Sequence, residues 1–155
     1  MASRYSPNAR RGARILLVDD NRSGLTARQS VLEELGYITE GLADPEEAIA
    51  ACAAREYDLV VTDYRLPGMN GVELIEALRR RNSAVPVILI SGYVDVLGLT
   101  EKTTGANAVI MKSCNEVQHL LRAVGRLLNA PPKRKPAAEK ARRAQPAASK
   151  SQAAG

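Results

Sequence analysis

Two textures alternate along residues 15–129: short apolar runs, and longer stretches whose apolar residues recur every three or four positions. Ile15-Leu16-Leu17-Val18 is a continuous apolar run, too short for a buried helix, and predicts a strand covered on both faces. Residues 21–35 place Leu25, Val31, Leu32 and Leu35 at helical spacing and stop at Gly36, which predicts an amphipathic helix. Residues 37–41 predict a weaker strand. Asp44-Pro45 predicts a helix start, because proline fits the first helical turn, and Ala48, Ile49 and Cys52 share one face of that helix. Residues 58–62 predict a strand. Residues 71–81 predict a helix with Val72, Leu74, Ile75 and Leu78 inward and Arg79-Arg80-Arg81 at the negative pole of its dipole. The strand expected over 85–90 contains Pro86, which a sheet tolerates only near a strand's start. A modest helix over 95–104, a strand over 108–111 and a closing helix over 114–128 complete the pattern. Five β/α pairs with no large insertion predict an α/β fold, a doubly wound five-stranded parallel sheet. Each crossover is right-handed and must cover the sheet, so helices lie on both faces.

Composition narrows the class. At 155 residues, with 45 % hydrophobic and 25 % charged residues, the chain can bury one ordinary core. No apolar run approaches the roughly 18 residues of a membrane span, and no signal-peptide stretch opens the sequence, so no membrane contact is expected. Two cysteines, Cys52 and Cys114, make no disulfide framework, and a single histidine, His119, leaves no His-rich zinc site. A reducing, cytoplasmic setting is therefore the expectation. The net charge of +5 divides unevenly. Residues 1–14 carry +4 and residues 130–155 carry +6, whereas the body between them holds 11 bases against 16 acids, a net of −5. The organisation expected is a disordered basic arm over 1–12, a folded domain over 13–129, and a disordered Ala/Pro/Lys-rich tail over 130–155. The tail lacks aromatic, Val, Ile, Leu and Met residues and cannot offset its ordering entropy. Its basic charge suits weak, nonspecific, salt-sensitive contact with a polyanion, but no aromatic is interleaved to stack on bases.

Chemistry enters where each apolar run stops. The first ends at Asp19-Asp20, the third at Asp63, the fourth at Ser91 and the fifth at Lys112. In open parallel sheets ligands sit beyond the carboxyl ends of the strands, near the switch in strand order. One edge would thus receive three carboxylates, a hydroxyl and an ammonium. Each has an ordinary reading alone. Asp20 or Asn21 caps the next helix, Asp63 opens a turn ahead of Pro67-Gly68 and Asn70-Gly71, Ser91 is a loop residue and Lys112 a solvated strand end. Together they suit other work. Converging carboxylates repel one another, a hard divalent cation such as Mg2+ relieves this, and a carboxylate beside it can take a phosphoryl group as an aspartyl phosphate. The metal, a lysine and a hydroxyl then serve the transferred oxygens.

Val18-Asp19-Asp20, VVTDYRLPGMNGVEL around Asp63, LISG with Ser91 and VIMK with Lys112 together resemble the receiver domain of two-component response regulators, chemotaxis regulators included. The resemblance spans roughly residues 13–128. It implies the flavodoxin-like strand order 2-1-3-4-5. It also implies Asp63 as phosphoacceptor, Asp20 and Asp63 as direct Mg2+ ligands with the backbone carbonyl of Arg65, and Asp19 supporting the ion through water. Ser91 and Lys112 would contact the phosphoryl group. The implied partners are a histidine kinase or phosphotransfer protein and an unidentified downstream protein, with dimerisation through the last two helices as a further option. Three positions depart from the family's pattern. Ser113 stands where proline usually follows the lysine, Val109 replaces the aromatic that swings inward on phosphorylation, and Arg65 is long and cationic. Val109 cannot act as a rotating ring, which leaves Tyr93 as a partial substitute. The function expected is therefore a phosphorylation-dependent switch rather than an enzyme that turns over a separate substrate. The alternative is a stand-alone receiver acting as a phosphorylation-independent scaffold or phosphate sink. A haloacid-dehalogenase-like phosphatase would want an acid where Arg65 stands. His119, alone on a helix, reads as a surface or packing residue.

Overall fold

A computed structural model describes residues 12–81 and 83–129. The chain runs β1 Arg14–Val18, α1 Arg22–Glu34, β2 Ile38–Leu42, α2 Pro45–Ala54, β3 Leu59–Asp63, α3 Gly71–Arg80, β4 Val87–Ser91, α4 Val94–Leu97, α5 Glu101–Thr104, β5 Ala108–Met111 and α6 Glu116–Asn129. The strands form one parallel sheet in the order β2-β1-β3-β4-β5. This is the expected fold and order. The basic arm (Gly12 apart) and the tail lie outside the described residues, as does Asn82.

The alternation of side chains along each strand divides the core. Ile15, Leu17, Leu59, Val61, Ile88 and Ile90 point to one face, where Leu32 of α1 and Leu120, Leu121 and Val124 of α6 cover them. Leu16, Val18, Val60, Val87 and Leu89 point to the other, under Ala48 and Ile49 of α2 and Leu74, Ile75 and Leu78 of α3. The two central strands β3 and β4 are buried at every position, as their continuous apolar runs require.

Local chemistry fixes the helix starts. Asn21 caps α1 by accepting from the Gly24 amide, and Asp44 caps α2 ahead of Pro45 by accepting from that of Glu46. Asn70 and Glu73 exchange side-chain and backbone bonds in a capping box that opens α3 directly after the loop from Asp63. At the other end of α3, Arg79 donates to the carbonyls of Ser83 and Val85, so it closes the loop as well as answering the dipole.

Several boundaries differ from those the sequence predicts. The strand expected from Val85 begins at Val87, one residue past Pro86, whose missing N–H cannot join the ladder. Asp63 and Ser91 are the last residues of their strands rather than the first beyond them. The single helix expected over 95–104 is two one-turn helices. Gly98 takes φ +63, in the left-handed region that stops α4, and Thr100 caps a new turn by accepting from the Thr103 amide. No helix among the described residues is long and apolar enough to cross a membrane.

Candidate functional site

The carboxyl ends of the central strands form the site. Asp63 closes β3, between β1 and β4, and is 5 % exposed. One carboxylate oxygen accepts from the Tyr64 amide at 2.8 Å, and the other accepts from the Lys112 ammonium at 3.1 Å. Burial pushes the Asp63 carboxyl above the usual carboxylate range, Lys112 opposes this, and the negative charge of Asp19 adds to it.

The backbone holds these groups in register. The Asp19 amide donates to the Leu42 carbonyl, that of Tyr64 to Ile90, and that of Lys112 to Ser91, each extending the ladder by one residue past the strands. Behind Asp63, the Gly71 amide donates to the Tyr64 carbonyl at 2.7 Å and brings the first turn of α3 against the end of β3.

Asp19, Asp20 and Asp63 each offer a carboxylate oxygen, and the three atoms lie within 4.8 Å of one another. Asp19 is buried, whereas Asp20 is exposed at the mouth. Ser91 is 1 % exposed at the end of β4, and its hydroxyl accepts from the Tyr93 amide at 2.9 Å. Arg65 stands at the rim, donating to the Tyr93 hydroxyl at 2.9 Å with its guanidinium 5.3 Å from the centre of that ring. Five of the six positions singled out from the sequence thus share one strand-end edge, and Arg65 borders it from the loop after β3. Val109 is half-buried on β5, and His119 is exposed on α6.

Two residues of the site, Arg28 and Glu116, escaped the sequence reading. Arg28, on α1, is 7 % exposed and donates to Asp19 at 2.5 Å and to Glu116 at 2.8 Å. Burial works against its charge, but the two acids outweigh burial and push its pKa up. The available signal was position. Arg28 falls between Leu25 and Leu32 on the stripe that faces the sheet, where a cation needs an acidic partner.

The donor set fits a hard divalent cation. All the converging ligand atoms are carboxylate oxygens, which Mg2+ prefers to nitrogen or sulfur. Asp19, Asp20, Asp63 and Glu116 carry four negative charges against the two positive charges of Lys112 and Arg28. Even with Arg65 at the rim the acids outnumber the cations, which favours a positive ion there.

Residues 15–124 match the family model of the response regulator receiver domain. Among curated proteins, the chain is 37 % identical over 91 residues to the cyclic di-GMP phosphodiesterase response regulator RpfG of Xanthomonas campestris, covering 56 % of this chain and 24 % of that protein. It is 36 % identical over 118 residues to the DNA-binding response regulator MtrA of Mycobacterium tuberculosis, covering 74 % of this chain and 50 % of that one. The chain thus spans half or less of these two relatives. Among solved structures it resembles the Francisella response regulator 1452 receiver domain, with a TM-score of 0.70 and 26 % identity, covering 76 % of this chain and 98 % of that one. It also resembles the Thermotoga maritima response regulator TrrA in complex with Mg(2+)-BeF, with a TM-score of 0.63 and 27 % identity, covering 72 % of this chain and 98 % of that one.

Proposed function

This chain belongs to the response regulator receiver family, and we propose that residues 13–129 form a receiver unit that accepts a phosphoryl group on Asp63. The observation that carries this is the meeting of Lys112 and Asp63 at 3.1 Å within reach of two further carboxylates. Burial alone disfavours the ionised form of this carboxylate. The ammonium keeps the nucleophilic, ionised form available despite the burial.

Asp20 and Asp63, with the carbonyl of Arg65, would hold Mg2+ directly, and Asp19 would support it through water. When bound, the ion supplies positive charge against the phosphoryl oxygens. The Asp63 carboxylate forms the new O–P bond as the bond from phosphorus to the donor breaks, and the donor leaves with the electron pair of that bond. Lys112 exchanges its contact with Asp63 for one with a phosphoryl oxygen. The hydroxyl of Ser91 donates its proton to another while still accepting from the Tyr93 amide, so a shift of Ser91 toward the phosphoryl group carries the loop into α4 with it.

The donor is the phosphohistidine of a histidine kinase or phosphotransfer protein. Phosphorylation adds nearly two negative charges at neutral pH, enough to bias a loop and the short helices beside it. The downstream partner, or a second copy of the chain, meets the face where Leu97, Met111 and Val117 are exposed. A cytoplasmic setting agrees with the free thiols of Cys52 and Cys114. Acetyl phosphate with Mg2+ is expected to give a retarded band on a phosphate-affinity gel. An unchanged band, or one that persists in Asp63→Asn, overturns the assignment.

Val109 favours a second reading, in which the receiver acts as a scaffold or phosphate sink, because no large ring on β5 is available to move. Partner affinity measured with and without beryllofluoride separates the two. Equal affinities select the scaffold.

A further inference from the structure

We propose that Arg28 is a built-in cation that competes with an incoming divalent ion for Asp19 and, through Glu116, makes the first turn of α6 respond to that ion. The proposal rests on the reading of the acidic edge as a cation site.

Arg28 occupies a place on α1 that its neighbours fill with leucine. A guanidinium there loses water on nearly every side and must be matched by fixed negative charge. It is matched twice, from opposite ends of the chain. Its Nη1 donates to Asp19 beyond β1, and its Nε donates to Glu116, which opens α6 and lies 88 residues away. The backbone makes room for this pair. A Cβ at Gly24 would sit 3.3 Å from the bonded oxygen of Asp19 and 3.7 Å from Nη1 of Arg28. Glycine is a poor helix residue, yet here, inside α1, it spares the pair that contact.

The arrangement has the logic of an exchange. Asp19 is at once the anchor of Arg28 and a member of the trio whose oxygens converge within 4.8 Å. A divalent ion at Asp20 and Asp63, with Asp19 turned to its water, draws on the same Asp19 carboxylate and repels the guanidinium beside it. Glu116 gives Arg28 somewhere to remain, since its carboxylate reaches Arg28 from α6 and is more exposed than that of Asp19. Linkage makes the effect reciprocal: whatever Arg28 does to ion affinity, the ion does to the hold of Arg28 on α6. A salt bridge that merely joined α1 to α6 would alter stability and leave ion affinity unchanged.

The test uses the full chain and Mg2+ alone, read by calorimetry and by backbone amide shifts. Arg28→Met is expected to bind Mg2+ about fivefold or more tightly than the wild type, the low end of typical coupling between sites. Glu116→Gln is expected to bind it more weakly, because Arg28 then has only Asp19. Mg2+ is expected to shift the amides of Glu116 and Val117 in the wild type but not in Arg28→Met, while those of Asp20 and Asp63 shift in both. Equal affinities in all three proteins, or equal α6 shifts in wild type and Arg28→Met, overturn the inference and leave the cation site standing. Absence of Mg2+ binding in every protein overturns both. Should Arg28→Met fail to fold by circular dichroism, Glu116→Gln carries the test: unchanged affinity there refutes the competition.

Discussion

Gly71→Ala measures how tightly the start of α3 is clamped to the strand that carries Asp63. A Cβ built at Gly71 falls 2.6 Å from the carbonyl oxygen of Asp63, 2.6 Å from a methyl of Leu89 and 3.1 Å from Cα of Tyr64. Optimal carbon contacts lie at about 3.5–4.0 Å, so the overlap with the Leu89 methyl is close to 1 Å deep and that with the smaller carbonyl oxygen somewhat less. The Leu89 methyl can rotate, but the Asp63 carbonyl belongs to the end of a central strand. Nor can α3 retreat freely, since Leu74, Ile75 and Leu78 are each no more than 1 % exposed. Overpacking of this kind costs about 1–3 kcal/mol, against which the stiffer unfolded chain returns about 0.4–1 kcal/mol. A net loss of roughly 1–2 kcal/mol lowers the midpoint of thermal unfolding by about 4–8 °C for a domain near this size. Gly92→Ala is the control, because nothing lies within 4 Å of its Cβ. Urea and thermal unfolding followed by circular dichroism compare the three proteins. The displacement falls on Asp63, so the rate of labelling by acetyl phosphate is expected to drop in Gly71→Ala and to hold in Gly92→Ala. The clamp is refuted if Gly71→Ala unfolds within about 0.5 kcal/mol of the control, the ordinary scatter of surface substitutions.

The same region yields two further expected outcomes. Asn70→Ala removes the acceptor for the Glu73 amide and is expected to cost about 1 kcal/mol in urea unfolding; no loss means that the box is dispensable. Asp63 holds its proton more tightly folded than unfolded, so its contribution to stability is fullest below the unfolded value, about pH 4, and is lost as pH rises through the folded one. Asp63→Asn escapes that loss, so its melting temperature relative to the wild type is expected to climb from pH 4 to pH 7, and a constant gap contradicts the burial argument.

Much of the fold is legible because strands buried on both faces leave continuous apolar runs. The site is partly legible for a related reason: polar residues that end such runs, as Asp63, Ser91 and Lys112 do, are forced to one edge by parallel pairing. What escaped depends on distance along the chain. Glu116 reads as an ordinary first-turn acid and Arg28 as a surface charge until folding brings them to 2.8 Å. Only the place of Arg28 on the inward stripe of α1 hinted otherwise. The break within residues 95–104 was hidden differently. Gly98 alone is tolerable in a helix, and it ends α4 only because Thr100 and Thr103 offer a competing start two residues later.

The two arginines of the site differ in how firmly they are held, and the difference decides which can transmit a signal. Arg65 lies at the exposed rim against Tyr93, itself 41 % exposed. Such a cation–ring contact is worth about 0.5–1 kcal/mol, so thermal motion and water open it often. It can shade the mouth of the site but cannot hold a distant element. Arg28 is the opposite case. Removing one partner of a buried ion pair costs about 3–5 kcal/mol because the other charge is stranded, so Arg28 stays on Asp19 unless something replaces it there. Val109 offers no ring to rotate, and its amide is already engaged by the Glu101 carboxylate. In this site, therefore, charge reaches the last helix through a buried contact that only another cation has reason to displace.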